Sequence, residues 1–152
     1  MDADIRETFW KALAKSPFVM LHPTEGHPAP MTAMLDKDAH HAVWFFTSRS
    51  ANAAIPGPAS FDFAAKGHDV FAAIEGTLHA ENDPARLDKL WSNAVAAWFP
   101  GGKGDPDLAL MRFEIGQSHV WTADLSVAGM FHLATGTAIQ PDQAGQHAVG
   151  AV

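Results

Sequence analysis

Ala42-Val43-Trp44-Phe45-Phe46-Thr47 is a run of β-branched and aromatic residues that is apolar on both faces, as in a buried strand. Similar short runs cover residues 18–21, 30–35, 61–65, 70–79 and 107–115. Short turns separate most of these runs, and antiparallel strands are the ones that short turns can join. The pattern predicts an α+β fold that is mainly β: an antiparallel sheet of five or six strands closed into a small barrel. Gly76, inside the run at residues 70–79, predicts a bulge or a close backbone approach.

Two helices accompany the strands. Asp2–Lys15 has apolar residues at helical spacing and acidic residues in its first turn, and Ser16-Pro17 ends it because the residue before proline leaves the helical region. A second helix is expected to begin at the N-cap Asp83, with Pro84 preset for the first position. Its apolar positions continue to Trp98, which predicts one long helix before the last strand.

The bulk properties fit one cytoplasmic domain. The chain has 152 residues, a net charge of −7 and no cysteine, so disulfides and thiolate chemistry are excluded. No Lys/Arg cluster suits a phosphate backbone or an anionic membrane, and neither a signal peptide nor a membrane span is expected. We expect a barrel domain over residues 1–125 and an extension over residues 126–152, with a short helix at 127–134 and a flexible tail.

Few side chains are arranged as a catalytic or metal site. The nine histidines include His22, His27 and the adjacent pair His40-His41, but none follows a metal-binding spacing, so surface histidines are the simpler interpretation and no metal is expected. No nucleophile elbow, dinucleotide fingerprint or P-loop is present. Thr47-Ser48-Arg49-Ser50, at the end of an apolar strand, offers the hydroxyls and guanidinium that a phosphate monoester needs, although ordinary turns contain such runs too.

The order of motifs resembles the general stress protein branch of the pyridoxamine 5'-phosphate oxidase-like FMN-binding split-barrel family. The similarity runs from about residue 4 to residue 125. Its most specific part is the block W-x6-W-F-P-G-G-K, followed by D-P-D-L. The similar segments are Val43 to Ser48, Ile74 to Leu78, Leu90-Trp91, Trp98 to Gly102, Asp105 to Arg112 and Val120-Trp121.

The resemblance implies a six-stranded antiparallel split β-barrel. It also implies a two-fold dimer that holds FMN between its subunits. The phosphate would lie near Thr47 and Ser48, with Arg49 and Asn52 beside it. The partner subunit would add residues near Trp98, Phe99 and Trp121. The isoalloxazine ring would lie along two strands, against Thr32, Ala33, Met34, Trp44, Phe45 and Phe46. No catalytic side chain is implied, and we name none.

The chain also departs from the family's pattern. The family usually has a lysine in the short helix after the Thr-Ser pair, where this chain reads Ala51-Asn52-Ala53-Ala54. The family also usually has a polar residue before Pro-Met on the second strand, where this chain reads Thr32-Ala33-Met34. Only Arg49 then remains to balance a phosphate dianion. Each lost charge-assisted hydrogen bond costs about 1.5–3 kcal/mol, so the sequence predicts weak binding of FMN or a different ligand.

Three functions remain open. The first is an FMN-dependent oxidoreductase or flavin reductase, in which the flavin carries the redox chemistry. The second is a non-catalytic stress protein that holds a flavin or another planar molecule. The third is haem handling, which the nine histidines motivate. A homodimer is expected in each case, because the five Trp and ten Phe exceed what a small monomer buries.

Overall fold

The computed structural model describes residues 1–123 and 145–152. Its helices are α1 (Ala3–Lys15), α2 (Pro84–Leu90) and α3 (Asn93–Ala96), and short 3-10 turns cover Asn52–Ala54 and Gly102–Gly104. The strands are β1 (Phe18–His22), β2 (Ala29–Thr32), β3 (Ala42–Ser48), β4 (Gly57–Ala64), β5 (Val70–Ala80), β6 (Leu108–Ala123) and β7 (Gly145–Gly150).

The strands form one antiparallel sheet in the order β2-β1-β4-β5-β6-β3, and β7 also pairs with β6. The long strand β6 organises this sheet. Along one edge it pairs first with β3, over Leu108 to Glu114, and then with β7, over Ser118 to Ala123. A single antiparallel bridge joins Met34, just past β2, to Trp44 in β3, and thereby links the two ends of the strand order.

Helix α1 closes one side of the core. The Asp2 carboxylate caps it by accepting a hydrogen bond from the backbone N–H of Asp4 at 2.7 Å, as N-cap residues do. Its buried residues Phe9 and Leu13 join a core that includes Phe45 and Phe113. Phe9 packs edge to face on Phe63 in β4, with ring centroids 6.2 Å apart, so an aromatic contact holds the helix against the sheet.

The mainly β antiparallel fold is confirmed, but the strand count and the long helix were wrong. The sheet has seven strands rather than six, because Gly145–Gly150, within the expected flexible tail, pairs with β6. The expected long helix is two short ones, since Trp91 and Ser92 have extended backbone and the Ser92 hydroxyl caps α3. Serine competes with helical hydrogen bonds in this way. The helix expected at 127–134 lies outside the described residues, and the domain boundary stays a prediction.

Gly76 confirms the expected irregularity in β5. The register between β5 and β6 shifts between Ile74 and Gly76. A Cβ at residue 76 would lie 2.2 Å from the carbonyl oxygen of Glu114 and 2.5 Å from the ring of Phe113. Only glycine fits at that distance without displacing the neighbouring strand.

Within the described residues, no helix is both long enough and apolar enough to cross a membrane.

Candidate functional site

A groove of about 820 Å³ opens between the end of α1, the β2–β3 segment and α3. Most of its surface is apolar, and its volume suits a ligand of cofactor size. We call it the main groove. Its lining comprises Ala14, Pro17, Pro30, Met31, Thr32, Ala33, Met34, Leu35, Phe46, Thr47, Ser48, Ser92, Ala94, Val95, Trp98, Phe99 and Asp107.

The floor of the main groove is held by backbone pairing. The N–H of Ala33 donates to the carbonyl of Pro17 at 2.7 Å, and Met34 exchanges two hydrogen bonds with Trp44, of 2.7 and 3.0 Å. These bonds fix Met34 beside β3, whose last residues also line the groove. Met34 and Phe46 pack near the buried Trp44. The floor is therefore a fixed apolar surface, of the polarizable kind that planar ligands contact.

One wall of the main groove is α3 and the turn that follows it. Phe99 is buried, whereas the side chain of Trp98 is 82% exposed at the groove's edge. The extended backbone at Trp91 breaks the helix, so Trp98 is no longer on the buried helical face that the sequence pattern predicted for it. Trp91 instead packs edge to face on Phe46, with centroids 5.9 Å apart. The exposed Trp98 ring is available to a ligand or to a second protein surface.

The polar end of the main groove is a serine–aspartate pair. The hydroxyl of Ser48 donates to Oδ1 of Asp107 at 2.6 Å, and the N–H of Arg49 donates to the carbonyl of Asp107 at 2.8 Å. The turn that presents Asp107 is built on Asp105. The backbone N–H groups of Asp107 and Gly101 donate to the Asp105 carboxylate and lower its pKa. Asp107 is the only charged residue among the described groove residues.

The structure gathers most of the predicted site residues and leaves others elsewhere. Thr32, Ala33, Met34, Phe46, Thr47, Ser48, Trp98 and Phe99 all line the main groove. Trp44 and Phe45 are wholly buried, so in this conformation their side chains support the floor and do not line it. Sequence reasoning placed Asp107 at the start of a strand, within D-P-D-L, and did not place it in the site, because its contact with Ser48 joins residues far apart in the chain.

Arg49 and Asn52 do not line the main groove. Arg49 lies in the turn that follows β3. It lines a second cavity, of about 430 Å³, together with Lys103 and Glu81. Asn52 lies against the β1–β2 turn, where a Cβ at Gly26 would meet its amide nitrogen at 2.0 Å. No described residue that lines the main groove therefore supplies the positive charge that was expected beside the phosphate at the end of β3.

Trp121 is not among the described residues that line the main groove of its own chain. Trp121 stacks on His147 at 4.6 Å between centroids, and Nδ1 of His119 lies 3.1 Å from Nε2 of His147. If Trp121 contacts a ligand in the main groove, it does so from another copy of the chain.

The face of the sheet that carries Trp121 has an apolar surface, which we call the outer face. Trp121 pairs with Phe71 in β5, and His119, two residues away on the same face, pairs with Val149. The exposed apolar residues of this face are Phe18, Met20, Phe71, Trp121 and Val149. Monomers rarely expose a contiguous apolar area of this kind unless it binds something.

A charged cluster behind the main groove fixes α2. The buried carboxylate of Asp36 accepts hydrogen bonds from Arg86 and from Lys89, the latter at 2.9 Å. Glu81 accepts from the indole N–H of Trp44 at 3.0 Å. The Arg86 guanidinium also lies over the Trp44 ring at 4.3 Å, a cation–π contact. These contacts join residues far apart in sequence, which is why no sequence motif revealed them.

Among the residues that the structure describes, no three His, Asp, Glu or Cys side chains are grouped as metal ligands. The four histidines that sequence reasoning considered have other contacts or lie apart. His22 pairs with Asp62 at 2.7 Å, His41 pairs with Glu114 at 2.9 Å, and His40 stacks on Trp10. His27 lies near the carbonyl of Pro28.

Comparison with known proteins identifies the family. The sequence profile described as pyridoxamine 5'-phosphate oxidase like matches residues 4–142. The chain belongs to the pyridoxamine 5'-phosphate oxidase-like family. The resemblance stated from its motifs is thereby confirmed. Among curated protein sequences, none matches the chain.

Solved structures of the family show the same fold. The general stress FMN/FAD binding protein of Xanthomonas citri is 41% identical, with 83% of this chain and 94% of that chain covered and a TM-score of 0.76. A candidate general stress protein 26 from Jannaschia sp. CCS1 is 31% identical, with 99% of both chains covered and a TM-score of 0.80. This family member is therefore similar to general stress proteins over most or all of its length.

Proposed function

We propose that this protein binds a flavin in the main groove, with the isoalloxazine ring against its apolar floor. The observation that carries the proposal is the fixed surface of Met34 and Phe46 beneath the exposed ring of Trp98. The similarity to the FMN/FAD binding protein of Xanthomonas citri supports it. Aromatic and thioether groups bind planar conjugated rings well.

The residues of the main groove suit the ring end of FMN but not its phosphate end. The groove volume and the apolar lining suit the ring, and the hydroxyls of Thr32 and Thr47 suit a polyol chain. The polar end offers the Asp107 carboxylate where a phosphate would need cations. We therefore derive no role for this chain in holding the phosphate of FMN.

We further propose that the protein is a flavin-dependent oxidoreductase or flavin reductase. A bound flavin supplies hydride and electron transfer at its ring. The chain's own residues would bind and orient that ring: Met34 and Phe46 support one side, and Trp98 limits access of water at the edge. Such a role needs no general acid or base from the protein. The alternative function, flavin binding without turnover, fits the same groove.

We also propose a homodimer that completes the site. The outer face has exposed apolar side chains, and Trp98 at the groove's edge is exposed as well. If the outer face of one copy covers the main groove of the other, Trp121 reaches the flavin site from the partner, and both apolar surfaces become buried. Burial of apolar area is the main driving force of such association. Light scattering at micromolar concentration should then give twice the chain mass, and a monomer mass would contradict the dimer.

Titration with riboflavin tests the binding proposal. We expect saturable quenching of flavin fluorescence with one flavin per chain. Trp98→Ala should weaken binding about tenfold, because an aromatic contact contributes about 0.5–1.5 kcal/mol beyond its buried area. His27→Ala, which changes an exposed ring outside the groove, is the matched control and should bind like the unchanged protein. No quenching at saturating riboflavin would refute the proposal.

Oxidation of NADH or NADPH by the flavin-loaded protein separates the two functions. Turnover well above that of free flavin supports the oxidoreductase. A flavin that binds but is not reduced by either donor supports the binding protein instead.

A further inference from the structure

Among the described residues that line the main groove, Asp107 alone carries a formal charge, and that charge is negative. Asp107 lines the groove, and its carboxylate accepts a hydrogen bond from the Ser48 hydroxyl at 2.6 Å. That serine hydroxyl therefore cannot donate to a ligand anion while the pair is intact. The polar end of the groove thus presents a carboxylate where a phosphate needs cations.

The chain has few positively charged side chains that could offset the negative charge of Asp107. It contains ten Lys and Arg in total, and residues 124–144 contain neither. No Lys or Arg is among the described residues of the groove. Five of the ten form ion pairs elsewhere: Lys11, Arg86, Lys89, Lys103 and Arg112. Arg49, next to the Ser48–Asp107 pair in sequence, lines the second cavity instead.

From this arrangement we infer that the groove selects flavins without a phosphate, so that riboflavin binds more tightly than FMN. The inference rests on the proposed flavin site and concerns which member of that ligand class it takes. Asp107 is the specificity-determining residue. It repels a terminal phosphate, while its hydrogen bond with Ser48 leaves the ring and the ribityl chain unaffected.

Coulomb's law sets the size of the effect. A phosphate dianion at roughly 6 Å from one carboxylate, in a medium as polar as water, loses about tenfold in affinity. The penalty should shrink as salt rises, because the screening length falls from about 30 Å at about 0.01 M to about 3 Å at about 1 M. A phosphate held by cations would behave in the opposite way and bind less tightly as salt rises.

The test compares riboflavin with FMN, titrated into the full chain at low and high salt. The two ligands share the ring, so any effect of salt on ring burial cancels in their ratio. Asp107→Asn keeps the shape of the side chain and its ability to accept from Ser48. Glu25→Gln, which removes an exposed carboxylate in the β1–β2 turn outside the groove, is the matched control. Thermal unfolding checks that both variants fold.

We expect riboflavin to bind about tenfold more tightly than FMN at low salt, with the ratio approaching one at high salt. Asp107→Asn should raise FMN affinity about tenfold and leave riboflavin affinity unchanged. FMN that binds more tightly than riboflavin and weakens with salt would overturn the inference while leaving the flavin proposal intact. Failure of both flavins to bind would overturn the proposed function itself. If Asp107→Asn does not fold, the salt dependence of the unchanged protein still decides between these outcomes.

Discussion

Gly76→Ala should destabilise the fold at the bulge between β5 and β6. The added methyl would lie 2.2 Å from a backbone oxygen of Glu114, which cannot move without displacing β6, and 2.5 Å from the ring of Phe113. That ring is itself buried against Phe61 at 5.1 Å between centroids, so it has no room to turn away. The clash must therefore be relieved by movement of the strand.

The cost follows from known magnitudes. Overpacking of a dense core costs about 1–3 kcal/mol, and contact with backbone places this site at the upper end. Replacing glycine also restricts the unfolded chain, which offsets about 0.4–1 kcal/mol. The net loss is about 2 kcal/mol. At this chain length that lowers the melting temperature by roughly 4–8 °C.

Thermal and urea unfolding of Gly76→Ala measure this loss, with Gly104→Ala as the matched control. A Cβ at Gly104 would meet nothing within 4 Å, so that variant should melt like the unchanged protein or slightly higher. If Gly76→Ala also melts within a degree of the unchanged protein, the close approach of the two strands is not what the structure indicates.

Three further substitutions test the cluster behind the groove and the outer face. Hydrogen bonds from Lys89 and a backbone N–H lower the pKa of Asp36. The Asp36 carboxylate therefore stabilises the fold fully above its ordinary pKa of 3.8, and this stabilisation is lost as the pH falls through the lowered pKa. In urea unfolding, Asp36→Asn should lose less stability on acidification than the unchanged protein. Trp44→Phe should cost about 1–3 kcal/mol in the same assay, because Glu81 loses a buried donor. Trp121→Asp should shift the light-scattering mass from dimer to monomer without lowering the melting temperature of the monomer.

Local sequence signals predicted much of the fold. The apolar run at β3, the acidic first turn and proline end of α1, and Gly76 each depend on residues close together in the chain, and the structure confirms all three. Strand β7 was missed because its alternation is weak: Gly145–Gly150 forms a strand through its pairing with β6, which no local pattern encodes. The break between α2 and α3 was missed because the apolar spacing continues across Ser92.

The residues of the candidate site were likewise predicted only in part from the sequence. The residues of the β2–β3 segment line one groove together, and strand alternation and the family's order of motifs both bear on them. Trp98 and Phe99, which the resemblance assigns to the partner subunit, line that groove in their own chain. The positions of Arg49 and Asp107 relative to the main groove depend on how the end of β3 pairs with β6. Ser48 pairs with Leu108, sixty residues later in the chain, and no local pattern predicts that pairing.

The most direct test of the central claim is a crystal structure of the protein soaked with riboflavin. We expect density for the ring in the main groove, against Phe46 and Met34 and beneath Trp98, with its ribityl chain toward Ser48. Density for the ring elsewhere, or an empty groove in a crystal whose solution contains saturating riboflavin, would contradict the flavin site.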